Sequence, residues 1–237
     1  MNTRRNLEYW VIPPEADAEF AAHMEDVLDV YSRPYDANMP VLCMDEQPVQ
    51  LVQETREPIA ATAKHPKRID YEYKRAGVAN IFMFAEPLAN WRQVSVRTQK
   101  TKVDWALEMG TLLEGRYRDC KTVIVVCDNL NTHTIGAFYT AFKPARARAF
   151  VSRIEFHCTP KHGSWLNIAE NELSCVTSQC VAGQCVAGRR IGSEAELREE
   201  TTAWYEDINA IQRGVDWQMK IDDARIKLKS IYPQIKL

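Results

Sequence analysis

Apolar positions along the chain follow two rhythms, and each change of rhythm marks an element. Phe20, Met24, Val27, Leu28 and Tyr31 recur at helical spacing behind Pro13-Pro14, which predicts a first helix. Past Pro34 and Pro40, the run Val41-Leu42-Cys43-Met44 reads as a first strand ending at Asp45. A loop carrying Pro48, Pro58 and Pro66 follows. Residues 70–74, 80–85 and 91–97 then read as three strands. Gly77 and Pro87-Leu88-Ala89-Asn90 supply the turns of an antiparallel meander. Thr101-x-x-Asp104 has the form of a capping box, opening a helix whose inward face is Val103, Ala106, Leu107, Gly110 and Leu113.

The second half changes character. Val123-Ile124-Val125-Val126-Cys127 is apolar at every position, so this strand should be central and covered on both faces. It ends at Asp128. Asn131 or Thr132 can cap a following helix with the stripe Ile135, Phe138, Tyr139 and Phe142. Residues 154–156 alternate as a short strand. The loop 159–164 leads into a helix that buries Leu166, Ala169, Leu173 and Val176 and carries Glu170. A last helix, 194–211, lines up Leu197, Thr201, Trp204, Ile208 and Ile211 ahead of a basic tail. Antiparallel strands followed by alternating helices and strands predict an α/β fold: a ribonuclease-H-like mixed sheet (antiparallel meander plus parallel strands) with helices on both faces.

In that layout Asp45, Asp128 and Glu170 gain meaning as a set. Asp128 lies 83 residues after Asp45, and Glu170 lies 42 after Asp128. The first interval accommodates a meander plus a helix, the second a helix, strand and loop. Ligand groups at the carboxyl ends of neighbouring strands meet in one crevice. Three packed carboxylates repel one another unless a cation joins them, and hard oxygen ligands suit Mg2+ or Mn2+. Two such ions can hold a phosphodiester in line for attack. Taken singly, each acid also has an ordinary reading: a turn residue at a strand end for the aspartates, a solvent-facing helix position for Glu170.

Composition limits what the set could serve. At 237 residues, the chain suits one large domain or one domain with short appendages. No segment reaches the roughly 18 uncharged apolar residues of a membrane span. The arginines near Met1 are not followed by an apolar core, so a cytoplasmic location is expected. Seven cysteines without a C-x-x-C pair indicate reduced thiols rather than a disulfide scaffold. A net charge of −2 is unusual for a nucleic-acid enzyme. Basic residues nevertheless gather locally, for example at Arg92, Arg97, Lys100 and Lys102, at Lys143, Arg146 and Arg148, and at Arg225, Lys227 and Lys229.

Two longer motifs carry a family resemblance: Asp128-Asn129-Leu130-Asn131-Thr132-His133 and the run from Thr159 through Lys161-His162-Gly163-Ser164-Trp165-Leu166-Asn167 to Glu170. Together with Met44-Asp45-Glu46, they resemble DDE transposases of bacterial insertion sequences, in the mariner-related branch called the IS six-thirty type. The resemblance implies Asp45, Asp128 and Glu170 as a catalytic triad holding two Mg2+ (or Mn2+) ions. It implies cleavage of DNA at element ends and strand transfer to target DNA. It places a ribonuclease-H-like DDE catalytic domain at 41–182, after a lead-in and acidic amphipathic helix at 1–40 and before C-terminal helices and a basic tail at 183–237.

Lys161 and His162 are candidate DNA contacts. His133 is a third, open to contact with a phosphate, to orientation of Asp128, or to a local role at a helix start. The family's partners imply DNA, a homodimer on that DNA, and a helix-turn-helix region that is not evident here. An inactive remnant that only binds DNA or protein partners is the alternative reading. It is favoured by the repeat of Gln179-Cys180-Val181-Ala182-Gly183 as Gln184-Cys185-Val186-Ala187-Gly188. Five extra residues turn a continuing helix by about 140° from its register.

Overall fold

The computed structural model describes residues 17–128, 132–181, 190–211 and 214–233. The chain runs α1 (Ala18–Ser32), β1 (Val41–Glu54), β2 (Tyr73–Glu86), β3 (Trp91–Arg97), α2 (Lys102–Glu114), β4 (Val123–Cys127), α3 (Ile135–Ala141), α4 (Pro144–Val151), β5 (Ile154–Cys158), α5 (Ile168–Val176), α6 (Glu194–Ala210) and α7 (Ile221–Lys227). One five-stranded sheet has the order β3-β2-β1-β4-β5. The pairs β1–β2 and β2–β3 are antiparallel; β1–β4 and β4–β5 are parallel. This is the mixed sheet that the order of elements predicts. Its central strand is β1, with β4 beside it and buried at all five positions.

The sheet separates two apolar layers. On one face, α1, α5 and α6 pack over Cys43, Ile81, Met83, Ile124 and Val126. On the other, α2, α3 and α4 pack over Leu42, Met44, Phe82, Phe84, Val125 and Cys127. The alternation of β1 and β4 thus sends successive side chains into different layers. Among the described residues, α1, the sheet and α6 share the first layer. Tyr31 of α1 donates a hydrogen bond from its hydroxyl to the Leu166 carbonyl (2.7 Å), fastening α1 to the segment before α5.

Several local expectations change. Val41 to Glu54 is one strand, so Pro48 lies inside β1 rather than in a loop. Beyond Cys43, β1 pairs with β2 alone, and a strand paired on one side can accommodate a residue without an N–H. The strands read at 70–74 and 80–85 are likewise one element, β2. Gly77 is not a turn. The register passes from Gln50↔Val78 to Val52↔Arg75, so β2 carries an extra residue there. Gly77 takes up this bulge at φ 99°, a conformation open to a residue without Cβ.

The Thr101–Asp104 capping box is formed in full. The buried face of α2 is centred on Trp105, Met109 and Leu112, not on Val103 and Leu107. The stripe on α3 is narrower than expected: Phe138 is buried, but Ile135 and Tyr139 are exposed, and α3 begins after Thr134. Helix α4 has no counterpart in the sequence pattern. Pro13-Pro14, Asn131 and the second pentapeptide copy lie outside the described residues. The first copy starts in a π-helical turn, Thr177–Val181, that continues α5. There Gln179 accepts a hydrogen bond from the Trp204 indole of α6 (2.7 Å), and Cys180 is buried.

Candidate active site

The three acids converge through the topology of the sheet. Parallel pairing of β1 with β4 runs from Val41↔Ile124 to Cys43↔Val126, an offset of 83 positions. Asp45 and Asp128 are separated by the same offset, so the two carboxylates stand level on adjacent strands just where that pairing ends. Asp45 is therefore not a strand end, because β1 continues along β2. By alternation, both aspartates share the face of Cys43 and Val126, the face covered by α5.

Asn167 sets the start of α5. Its side-chain oxygen caps the Ala169 N–H (3.1 Å), and its amide nitrogen donates to the Met44 carbonyl (2.9 Å), one residue before Asp45. Glu170 thereby occupies the first helical turn, beside β1. The three acids are close enough for Asp128 and Glu170 both to act on Asp45. Burial, chiefly, together with the charges of Asp128, Glu46 and Glu170, pushes the Asp45 carboxyl up to about 7, against the opposing backbone hydrogen bond from Glu46.

His133 departs from its expected role as a DNA contact. Its side chain has no exposed surface, so it offers nothing to a phosphate. Nε2 lies 2.7 Å from Glu46 Oε1. Nδ1 lies 3.3 Å from the Asp128 carbonyl oxygen and 2.7 Å from Asp128 Oδ1. Every partner is an acceptor, so both ring nitrogens carry protons. Burial opposes the charged imidazole, but Asp128 and Glu46 outweigh it and lift His133 to about 10. The geometry fits the other role open to His133, orientation of Asp128. Glu46 was missed in the sequence; its position next to Asp45 was the only signal.

Lys161 and His162 sit at the tip of the loop between β5 and α5, and both side chains are exposed. The Gly163 N–H donates to the Pro160 carbonyl (2.8 Å), which closes the turn and sets His162 at φ 64°. A Cβ on Gly163 would come within 2.5 Å of the Pro160 ring, so glycine is required there.

Among the described residues, no group of three His, Cys, Asp or Glu side chains is placed to hold a metal ion. Magnesium does not require an all-protein cage, since it is usually held by one or two carboxylates together with waters and substrate phosphates. Asp128 Oδ1 and Glu170 Oε2 are buried without a well-aligned hydrogen-bond partner. His133 Nδ1–H is close to the first but aimed nearer the backbone carbonyl. The unpartnered Glu170 oxygen, with the Asp45 and Asp128 carboxylates beside it, fits a divalent cation, which these three acids would hold.

Residues 40–189 match the family model of the DDE superfamily endonucleases. Among curated proteins, none matches the sequence. Solved structures of Mos1 are similar to the chain. The mariner Mos1 paired-end complex with Mg gives a TM-score of 0.55 at 12% identity, covering 99% of this chain and 69% of that one. The paired-end complex with Mn gives 0.52 at 12% identity, covering 90% and 63%. The catalytic domain of Mos1 mariner transposase gives 0.51 at 11% identity, covering 86% and 90%. The chain thus spans 63% of the Mos1 chain in the Mn complex but nine-tenths of the isolated catalytic domain. The likeness identifies the mixed sheet as ribonuclease-H-like. With the family model matched over more than half its length, the chain belongs to the DDE superfamily endonucleases.

Proposed function

We propose that this chain is the catalytic domain of a metal-dependent transposase that cleaves DNA at the ends of a mobile element and transfers the freed strand to target DNA. The observation that carries the reading is the level placement of Asp45 and Asp128 on neighbouring strands, with Glu170 in the first turn of the helix that covers them. When bound, divalent cations would neutralise the scissile phosphate and raise the acidity of an attacking water or 3′-hydroxyl. Asp45, Asp128 and Glu170 would supply the oxygens that hold the cations. The exposed turn carrying Lys161 and His162 stands at the entrance to α5 and would take the DNA backbone as a sequence-independent contact.

Insertion-sequence ends, a homodimer and a helix-turn-helix region in a companion segment complete the proposal. They rest on motif resemblance, and on solved Mos1 structures that are paired-end and strand-transfer complexes. The test is cleavage and joining of element-end DNA by the chain with Mg2+ or Mn2+, supplemented with a helix-turn-helix partner. Asp128→Asn should lower the rate by at least about 10³-fold, the scale of losing about 4 kcal/mol of transition-state stabilisation. Cleavage that survives this change sinks the reading.

A further inference from the structure

Glu46 is an acid beside a catalytic candidate, yet its side chain cannot join the other three. Asp45 faces the α5 layer. Glu46 alternates to the opposite layer with Met44, where its side chain is 3% exposed. It lies there with His133, whose ring is packed by Trp105 at 5.5 Å between centroids. Its backbone N–H meanwhile donates to Asp45 Oδ1 (2.8 Å). One residue therefore touches both aspartates: Asp45 directly through its amide, and Asp128 through the imidazole.

We propose that Glu46 is a positioning residue that sets the geometry of both aspartates, with His133 as the rigid link to Asp128. This rests on the metal-dependent reading above and adds a residue to it. The imidazole bridges Glu46 and Asp128, one through each ring nitrogen. Its ring is fixed on one side by the Glu46 carboxylate and above by Trp105, which leaves Nδ1 aimed at the Asp128 carbonyl and carboxylate. Without the Glu46 acceptor, the ring would lose its far anchor and Asp128 its fixed orientation. Buried groups that orient a metal's ligands are typically worth about 10–100-fold in metal affinity.

The probe is Mn2+ alone, titrated into the full chain and followed by electron paramagnetic resonance, with melting curves in EDTA to report folding. Glu46→Leu keeps the volume but removes the acceptor, and should weaken Mn2+ binding by about 10–100-fold. Glu46→Gln keeps an acceptor for Nε2–H, and should stay within about threefold of the wild type. His133→Phe keeps the ring packing, should lose as much as Glu46→Leu, and serves in its place if that variant does not fold. The double variant should be no weaker than either single one, because both changes break one link. Wild-type affinity in folded Glu46→Leu or His133→Phe overturns the proposal. So does a loss in Glu46→Gln equal to that in Glu46→Leu. If the wild type itself shows no Mn2+ binding that Asp128→Asn abolishes, it is the metal-dependent reading that fails.

Discussion

Asp45 concentrates the electrostatic tension of the site, and its effect on stability has a definite sign. Its folded-state pKa, about 7, lies above the ordinary carboxylate value of 3.8. A raised acid favours the folded state at pH below the ordinary value, and that contribution is lost as pH rises through about 7. Asp45→Asn removes the loss. In EDTA the variant should melt near the wild type at pH 4 and above it at pH 8, by on the order of 2 kcal/mol after discounting for partial solvent exposure. Equal melting temperatures at pH 8 would contradict the burial argument. The thiols differ as sharply. Cys158 pairs with Cys127 across β4 and β5, and a hydrogen bond from Cys127 lowers its thiol, whereas burial lifts Cys43 to about 12. With iodoacetamide at pH 7.5, peptide mapping should find Cys158 modified before the buried Cys43 and Cys127. Prior labelling of Cys43 would overturn this ranking.

The elements hold Glu170 in place through a buried ion pair. Arg92 of β3 meets Glu172 of α5 at 3.1 Å, with both side chains under 5% exposed. The Arg92 backbone is held at both N–H and C=O by the Asn209 side chain of α6. Glu172 lies two residues beyond Glu170, so this clamp fixes the rotation of α5 that presents Glu170. Glu172→Ala should cost about 3–5 kcal/mol in urea unfolding, because it removes the carboxylate that neutralises a buried guanidinium. A cost below about 1 kcal/mol would show that the pair adds nothing. The pattern of apolar residues foretold α1, α2, α5 and α6 because each buries a stripe at helical spacing. It could not foretell that β1 and β2 run on as long paired strands. Pro48 and Gly77 look like breaks, and only one-sided pairing and a bulge reconcile them with a strand. That Asp45 and Asp128 lie side by side was legible through the apolar runs before them and their spacing. Glu46 was not, since nothing in the sequence says that its side chain and His133 meet behind the sheet.

At the scale of the whole molecule, part of the positive charge is already matched by the chain's own acids. Of the basic residues clustered in the sequence, Arg92, Arg97, Arg146 and Arg225 are each paired with an acid. The chain as a whole carries a net charge of −2. Affinity for duplex DNA comes mainly from releasing counterions, about 0.9 per neutralised phosphate, so cations already paired with the chain's own acids add little to binding or to its salt dependence. Exposed Lys161 is among the cations still available beside the acids. The chain alone should therefore bind duplex DNA with a Kd of about 10⁻⁶ M or weaker at physiological salt, without preference for sequence. Lys161→Ala should reduce the slope of log K against log salt by about one and weaken all sequences alike. Fluorescence anisotropy between 50 and 200 mM salt measures both quantities on random and element-end duplexes. Nanomolar, sequence-selective binding by the chain alone would show that recognition of the ends resides in this fold, and that a companion DNA-binding segment is unnecessary.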